Sequence, residues 1–330
     1  MNELAIAAFA AEAGRHLVDR PRDREFAVFC RTFDEGSYRA RLAAVGIRWI
    51  GRGEPAFPRL LRSIHDPPIG LFVRGGRSLD LLAATSVAIV GARGCTSYGA
   101  NVARSLGREL AAAGVVVVSG LARGVDGEAH RGVLEAGGAT LAVLGCGIDR
   151  DYPAAHGELA RRICDRGLVV SEYAPGVEPA PWRFPARNRI IAGIATATVV
   201  VEARERSGAL ITADLALDEG REVFAVPGEI TGSLSQGTNG LLKLGAAPLT
   251  CAEDVLEALG IEPAAPEARS VGDAAAAVLE RLRDAPAAAD ELARTTALDA
   301  ASLAAALTEL ELAGLVAAAD GLYRAVMPVR

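Results

Sequence analysis

The sequence predicts an α/β protein built on an extended parallel sheet, with a small N-terminal helical module and a C-terminal winged-helix-like domain. Three observations lead there. From Thr85 to Gly260, short β-branched runs alternate with amphipathic stretches. The junctions that follow the early runs are rich in glycine. After a proline- and alanine-rich segment, three helical patterns end in a hairpin-like string.

Residues 1 to 53 begin with an apolar helical pattern and pass into a polar stretch, which reads as a helical module. A connector over residues 54 to 84 carries Pro55, Pro58, Pro67 and Pro68 before Leu71-Phe-Val-Arg-Gly75. The main domain spans residues 85 to 261. Its six expected strands are Val87–Gly91, Val115–Ser119, Thr140–Gly145, Leu168–Ser171, Thr198–Glu202 and Val223–Val226, and their continuous apolar character suits burial on both faces. Between the first two, Val102, Leu106, Leu110 and Ala113 recur at helical spacing, so a helix is expected over Tyr98 to Ala113, ended by Gly114. The linker is placed at residues 262 to 270, where Glu262-Pro-Ala-Ala-Pro-Glu-Ala-Arg269 has linker composition. Residues 271 to 330 then show helical patterns near 273–284, 288–296 and 299–313 and the hairpin-like Leu315–Ala325. The last helix carries Glu309 and Glu311 and no basic residue, which argues against a groove-reading helix.

Composition narrows the function classes. With 51% hydrophobic residues in 330, the chain can bury one large core plus appendages, and disorder is excluded. The N-terminus lacks the basic head, apolar run and cleavage site of a secretory signal, and no apolar run is long enough to cross a bilayer. Five scattered cysteines without a C-x-x-C pair fit neither a disulfide framework nor a zinc site. A cytoplasmic protein without a membrane segment is therefore expected. The net charge of −6 means that any nucleic-acid contact must come from a local cationic patch. Lys243 is the only lysine beside 34 arginines.

In such a sheet a ligand sits beyond the carboxyl ends of the strands, where helix N-termini present free N–H groups. The junctions there are Gly91-Ala-Arg-Gly-Cys-Thr-Ser-Tyr-Gly99, Ser119-Gly-Leu-Ala-Arg-Gly-Val-Asp126 and Gly145-Cys-Gly-Ile-Asp149, with Arg93 and Arg123 as possible counter-charges. The fold is Rossmann-like, but the first loop lacks G-x-G-x-x-G and the second strand ends in Ser119-Gly120 instead of an acid, so NAD or FAD binding is not expected. Walker A is also missing. The fourth crossover, Pro181-Trp-Arg-Phe-Pro-Ala-Arg-Asn-Arg-Ile-Ile-Ala-Gly193, sets Arg183, Arg187 and Arg189 around Phe184 and Asn188. Arginines can track phosphates while an aromatic face stacks a base, although core packing of Phe184 and Trp182 is the alternative. Ser207-Gly-Ala-Leu-Ile-Thr-Ala213 and Gly237-Thr-Asn-Gly-Leu-Leu-Lys243 offer further helix N-termini, each equally readable as an ordinary cap.

These strings, taken together, resemble the bacterial DNA-processing protein A family (DprA/Smf). Gly91-x-Arg93 with Tyr98-Gly99, Ser119-Gly-x-Ala-x-Gly-Val-Asp126, Phe184-Pro-x-Arg-Asn-Arg-Ile-Ile-Ala-Gly193, Ser207-Gly-Ala-Leu-Ile-Thr-Ala213, Val226-Pro-Gly228 and Gly237-Thr-Asn239 fall in the family's order. Phe57-Pro-Arg-Leu-Leu, Asp66-Pro-Pro68 and Leu71-Phe-Val-Arg-Gly75 extend the likeness upstream, so it covers about residues 54 to 260 and a winged-helix tail. The resemblance implies single-stranded DNA binding, protection of incoming strands in natural transformation, loading of the RecA recombinase, and a homodimer. It assigns DNA contact to Arg93, Ser119, Gly120, Phe184, Arg187, Asn188, Arg189, Ser207, Gly208 and Asn239. Two positions depart from the pattern: Ala92 replaces a hydroxyl residue, and Pro181 replaces a lysine. Arg183, next to Phe184, is expected to restore that charge.

No catalysis, cofactor or metal is expected. A nucleoside-monophosphate phosphoribohydrolase is the enzymatic alternative, but its P-G-G-x-G-T-x-x-E loop is absent. Asp126, Asp149 and Glu202 are the available carboxylates, with Asp126 readable as a partner of Arg123 or as a helix start; the four histidines read as structural or exposed. A third reading is an interaction scaffold with a decayed DNA site.

Overall fold

A computed structural model describes residues 2–14, 24–262, 271–319 and 321–325. The chain opens with helices α1 (Glu3–Glu12), α2 (Arg24–Thr32) and α3 (Glu35–Ala44), then β1 (Ile47–Gly51), the short α4 (Arg59–Arg62) and β2 (Gly70–Arg74). The alternating region follows as β3 (Ser86–Val90), α5 (Ser97–Ala112), β4 (Val116–Ser119), α6 (Val125–Glu135), β5 (Thr140–Val143), α7 (Gly157–Arg166), β6 (Leu168–Ser171) and α8 (Arg183–Ile194). It continues through β7 (Ala197–Val200), α9 (Gly208–Asp218), β8 (Glu222–Ala225), α10 (Gln236–Lys243), β9 (Ala247–Pro248) and α11 (Ala252–Ala258).

These strands form one nine-stranded sheet in the order β1-β2-β6-β5-β4-β3-β7-β8-β9. From β6 to β9 all pairings are parallel, as the βαβ alternation requires. The six strands expected from sequence are all present, with ends shifted by one or two residues. Helix α5 ends where expected, because Gly114 adopts a φ of 77° that the next L-residue would resist.

The expected separation of an N-terminal module and connector from the sheet is not what the structure has. β2 lies antiparallel to β6, with Phe72 opposite Ser171, and β1 lies antiparallel to β2. The run Gly70–Arg74 is buried along most of its length, so it needs a sheet partner, and that partner lies about a hundred residues downstream.

Strand residues alternate between two helical layers. Ala88, Val90, Val118 and Val200 face α8 and α9, meeting Ile190, Ile191, Ala209 and Ala213. Val87, Ile89, Val117 and Val199 face α5, α6 and α11, meeting Val102, Leu106, Ala129 and Val255. A third cluster covers the antiparallel end, where Leu4 and Ile6 of α1 join Trp49, Phe72 and Ile163. Burying each such side chain contributes about 1.5–3 kcal/mol, which makes this double-sided cover the main source of stability.

The expected linker falls largely at 263–270, outside the described residues. Beyond it, α12 (Asp273–Asp284), α13 (Ala289–Thr296) and α14 (Ala300–Leu312) precede the hairpin β10 (Val316–Ala319) and β11 (Leu322–Ala325). This three-helix-plus-hairpin order matches the winged-helix expectation, and the unit has its own core of Val278, Leu282, Leu292, Leu303, Leu307 and Leu310.

Candidate nucleic-acid interface

The chain runs from β3 through β6 in one direction and returns to place β7 on the other side of β3. That reversal opens a crevice at the carboxyl ends of β3 and β7, the position at which doubly wound sheets bind ligands. The two loops bordering it are tied together. The backbone N–H of Ala92 donates to the Glu202 carbonyl at 2.7 Å, and Thr96 donates its N–H (2.9 Å) and hydroxyl (2.6 Å) to the buried Glu202 carboxylate. Thr96 also caps α5 by accepting the Gly99 N–H at 3.1 Å. The glycine loop is thereby held in one shape, with Arg93 projecting from it.

Arg93 is exposed and forms no ion pair among the described residues. Its guanidinium lies 5.3 Å from the centroid of Phe184, and the Phe184 ring also stacks on Tyr152 at 5.3 Å with 25° between the planes. Two concavities meet around this group, and a third adjoins the second of them. One of about 470 Å³ is lined by Arg93, Gly120, Arg123, Cys146, Tyr152 and Phe184. A second of about 230 Å³ shares Arg93 and Phe184 and adds Asp126, Asn188, Ser207 and Gly208. A third of about 850 Å³ shares Ser207 and Gly208 and continues to Arg206, Asn239 and Lys243. The cationic excess is greatest in the first; in the third, Glu205 and Asp214 stand opposite Arg206 and Lys243.

The arginines of α8 divide. Arg187 is 4% exposed, and its guanidinium donates to the carbonyls of Gly120 (2.9 Å) and Val143, the ends of β4 and β5. Burial pulls its pKa down to about 10, with the nearby Asp126 carboxylate opposing, so it stays charged at neutral pH beneath the trough. Gly120 makes room there, because a Cβ would overlap the Arg187 guanidinium. Asp126 accepts the N–H groups of Gly120 (3.1 Å) and Ala122 (3.4 Å); burial raises its pKa and Arg187 opposes that rise. Asp126 lies in the first turn of α6, as its reading as a helix start expects, and forms no ion pair with Arg123 among the described residues.

Arg189 points elsewhere. It forms a bidentate ion pair with the buried Glu172 at 2.7 and 3.2 Å and a second with Asp66 at 2.9 Å. Its expected place in a cationic trough is not borne out by this geometry, because a carboxylate buried at the end of β6 consumes the charge. Arg183 is likewise directed away. It packs over Tyr173 and Trp182 at 5.2 and 4.8 Å, donates to the Glu178 carbonyl, and lines a separate cavity against α1. Its guanidinium is therefore not among the lining of the trough.

The short polar residues are mostly occupied by the fold. Ser119 is fully buried and donates to the Ile89 carbonyl at 2.6 Å, so its hydroxyl does not face the crevice. The Gly120 N–H is taken by Asp126. Asn188 accepts from Arg187 and donates to the Gly208 carbonyl at 3.1 Å, joining α8 to α9 while lining the second cavity. Asn239 clamps Gly228 through both its amide groups, at 3.2 and 3.0 Å. Ser207 caps α9, accepting from Ala209 at 3.3 Å, and Gly208 beside it faces open space.

Arg93, Phe184, Arg187, Asn188, Ser207, Gly208 and Gly120 therefore do converge on one trough. Arg123, Tyr152 and Arg206 line it as well and were absent from the expected contacts; Arg123 stood in a glycine-rich junction that already flagged it, whereas Tyr152 had no such signal. Of the histidines, His130 is buried against Thr140 (2.7 Å), His156 is buried against the Leu121 carbonyl (2.9 Å), and His65 is exposed. His16 lies outside the described residues.

Residues 48–260 match the family model described as DNA recombination-mediator protein A. The chain belongs to that family. A second match, to the DprA winged helix domain, covers residues 262–321. Among curated members, the DNA processing protein DprA of Streptococcus pneumoniae is 46% identical over 207 residues, covering 62% of this chain and 71% of the relative. A putative DNA processing protein DprA of Mycobacterium tuberculosis is 44% identical over 266 residues, covering 78% and 68%. The solved Streptococcus pneumoniae structure of the family superimposes with a TM-score of 0.65 at 39% identity, over 77% of this chain and 91% of that one. A structure of the Helicobacter pylori member, described by its single-stranded DNA binding mode, superimposes with a TM-score of 0.58 at 31% identity, over 64% and 95%. No helix among the described residues is long and apolar enough to cross a membrane.

Proposed function

We propose that the chain binds single-stranded DNA along the trough, as a non-catalytic recombination mediator. The observation that carries this reading is the unpaired Arg93 guanidinium over the Phe184 ring, where two cavities join at the sheet's reversal point. A cation beside an aromatic serves a phosphate chain with unstacked bases better than it serves a duplex. The Helicobacter pylori relative, described as a single-stranded DNA binder, supports the same assignment. A binding role without catalysis is favoured by the carboxylates, because Asp126, Asp149 and Glu202 each hold backbone N–H groups of the loops around them.

Family membership supports a role in natural transformation with delivery of strands to the RecA recombinase. Homodimer formation is favoured by Ile230 (93% exposed), Leu244 (86%) and Ile211 (40%), which share the rim of the third cavity as an apolar patch. Five free cysteines agree with a reducing cytoplasm.

Fluorescence anisotropy with labelled oligo-dT and with duplex DNA tests the reading. Single strands should bind more tightly, with affinity falling as salt rises. Arg93→Ala should weaken binding and lower the slope of log K against log salt by about one. Equal affinity for duplex, or an unchanged slope in the variant, would refute it. Release of adenine and ribose 5-phosphate from AMP would favour the phosphoribohydrolase reading, and silence in both assays an interaction scaffold.

A further inference from the structure

We propose that Tyr152, in the loop after β5, is itself a single-stranded DNA contact that presents a stacking face to a nucleobase lodged in the cavity of about 470 Å³. This deepens the preceding reading and rests on it. Phe184, the aromatic residue of the sequence motif, is half-buried, and neighbours already cover much of its ring. A Cβ at Gly145 would lie 2.9 Å from its ring, Arg93 sits over it, and Tyr152 stacks against it. An incoming base cannot use ring surface that these neighbours cover. Tyr152 differs: it is 41% exposed although stacked on Phe184, and its hydroxyl has no hydrogen-bond partner among the described residues.

The surroundings suit a base more than a phosphate at this point. Tyr152 and Pro153 form an apolar wall, and Gly94 on the same cavity has open space where a Cβ would stand, so a flat ring can enter. Arg93 and Arg123 stand on the same cavity, placed for the flanking phosphates. Tyr152 and Phe184 thus make a stepped two-ring platform, with Phe184 supporting and Tyr152 receiving.

The experiment compares oligo-dT with an oligonucleotide of equal length carrying abasic sites, on the full chain and on Tyr152→Ala, Tyr152→Leu and Tyr152→Phe. Leucine preserves apolar packing on Phe184 while removing the π face, which guards against a variant that merely disturbs folding. Alanine and leucine variants should bind oligo-dT about 5- to 100-fold more weakly, as loss of one stacked base implies, whereas phenylalanine should stay within about threefold of wild type. The penalty for abasic sites in the wild type should largely disappear in Tyr152→Leu, and the salt slope should not change. Wild-type affinity in Tyr152→Leu, or an undiminished abasic penalty there, overturns the proposal while leaving the DNA-binding reading intact. Failure of the wild type to bind oligo-dT removes both.

Discussion

Arg187 and Arg189 lie two positions apart on α8, and the fold uses both guanidinium groups before any ligand arrives: one holds strand-end carbonyls, the other neutralises Glu172. Arg93, on a loop and in no ion pair among the described residues, keeps its charge for the crevice. Buried acids show the same dependence on partners. Burial raises the Glu172 pKa, with Arg189 opposing, while among the described residues Glu109 on α5 has only the Ser105 hydroxyl as a hydrogen-bond partner, at 2.9 Å, and burial pushes its pKa up to about 7. A carboxyl whose folded pKa lies above its unfolded value contributes its full stability below the unfolded pKa and loses it as pH rises through the folded one. Glu109→Gln, which mimics the protonated acid, should therefore match wild type near pH 4 and exceed it near pH 8 by roughly 3 kcal/mol. Urea denaturation at both pH values checks this, and a variant no more stable at pH 8 would show that Glu109 is solvated in solution.

At the scale of elements, the glycine-rich junctions have two distinct uses. Gly120 makes room for Arg187 and Gly145 for Phe184, whereas a Cβ at Gly94 would meet nothing within 4 Å. Gly120→Ala should destabilise the fold by about 1–3 kcal/mol through overpacking, and Gly94→Ala should stay within about 0.5 kcal/mol of wild type. Thermal unfolding of the two variants separates these roles; equal stability would contradict the close approach of α8 to β4. In sequence both glycines looked alike, because the side chain that fills one cradle comes from an element more than sixty residues away. The same distance effect explains what was legible in the fold. Strands β3 to β8 showed themselves through local runs flanked by helical periodicity, and α5 through its spacing and Gly114. β1 and β2 did not, since β2 pairs antiparallel with β6 about a hundred residues downstream and β1 pairs with β2, so neither belongs to the local βαβ alternation. At the site, residue types were readable and side-chain directions were not: Arg183 and Arg189 look equivalent to Arg93 until Tyr173 and Glu172 are in place around them.

For the whole molecule, the C-terminal unit has a core made only of residues beyond Val271, and the trough draws all its lining from residues before it. A chain ending at Glu262 should therefore bind oligo-dT within about twofold of the full protein, well below the tenfold that 1.4 kcal/mol represents. A larger loss in anisotropy titrations would assign DNA contact to the winged helix, whose α14 carries acidic residues and no basic one. Finally, Arg187 ties α8 to the ends of β4 and β5, Asn188 ties α8 to α9, and Glu202 ties the β3 loop to the β7 loop. A receptor braced in this way loses little freedom when a flexible polymer settles on it, so the entropic cost of the encounter falls on the nucleic acid. Capture should then follow single-step kinetics, its rate set by ionic attraction and not by any slow rearrangement of the protein.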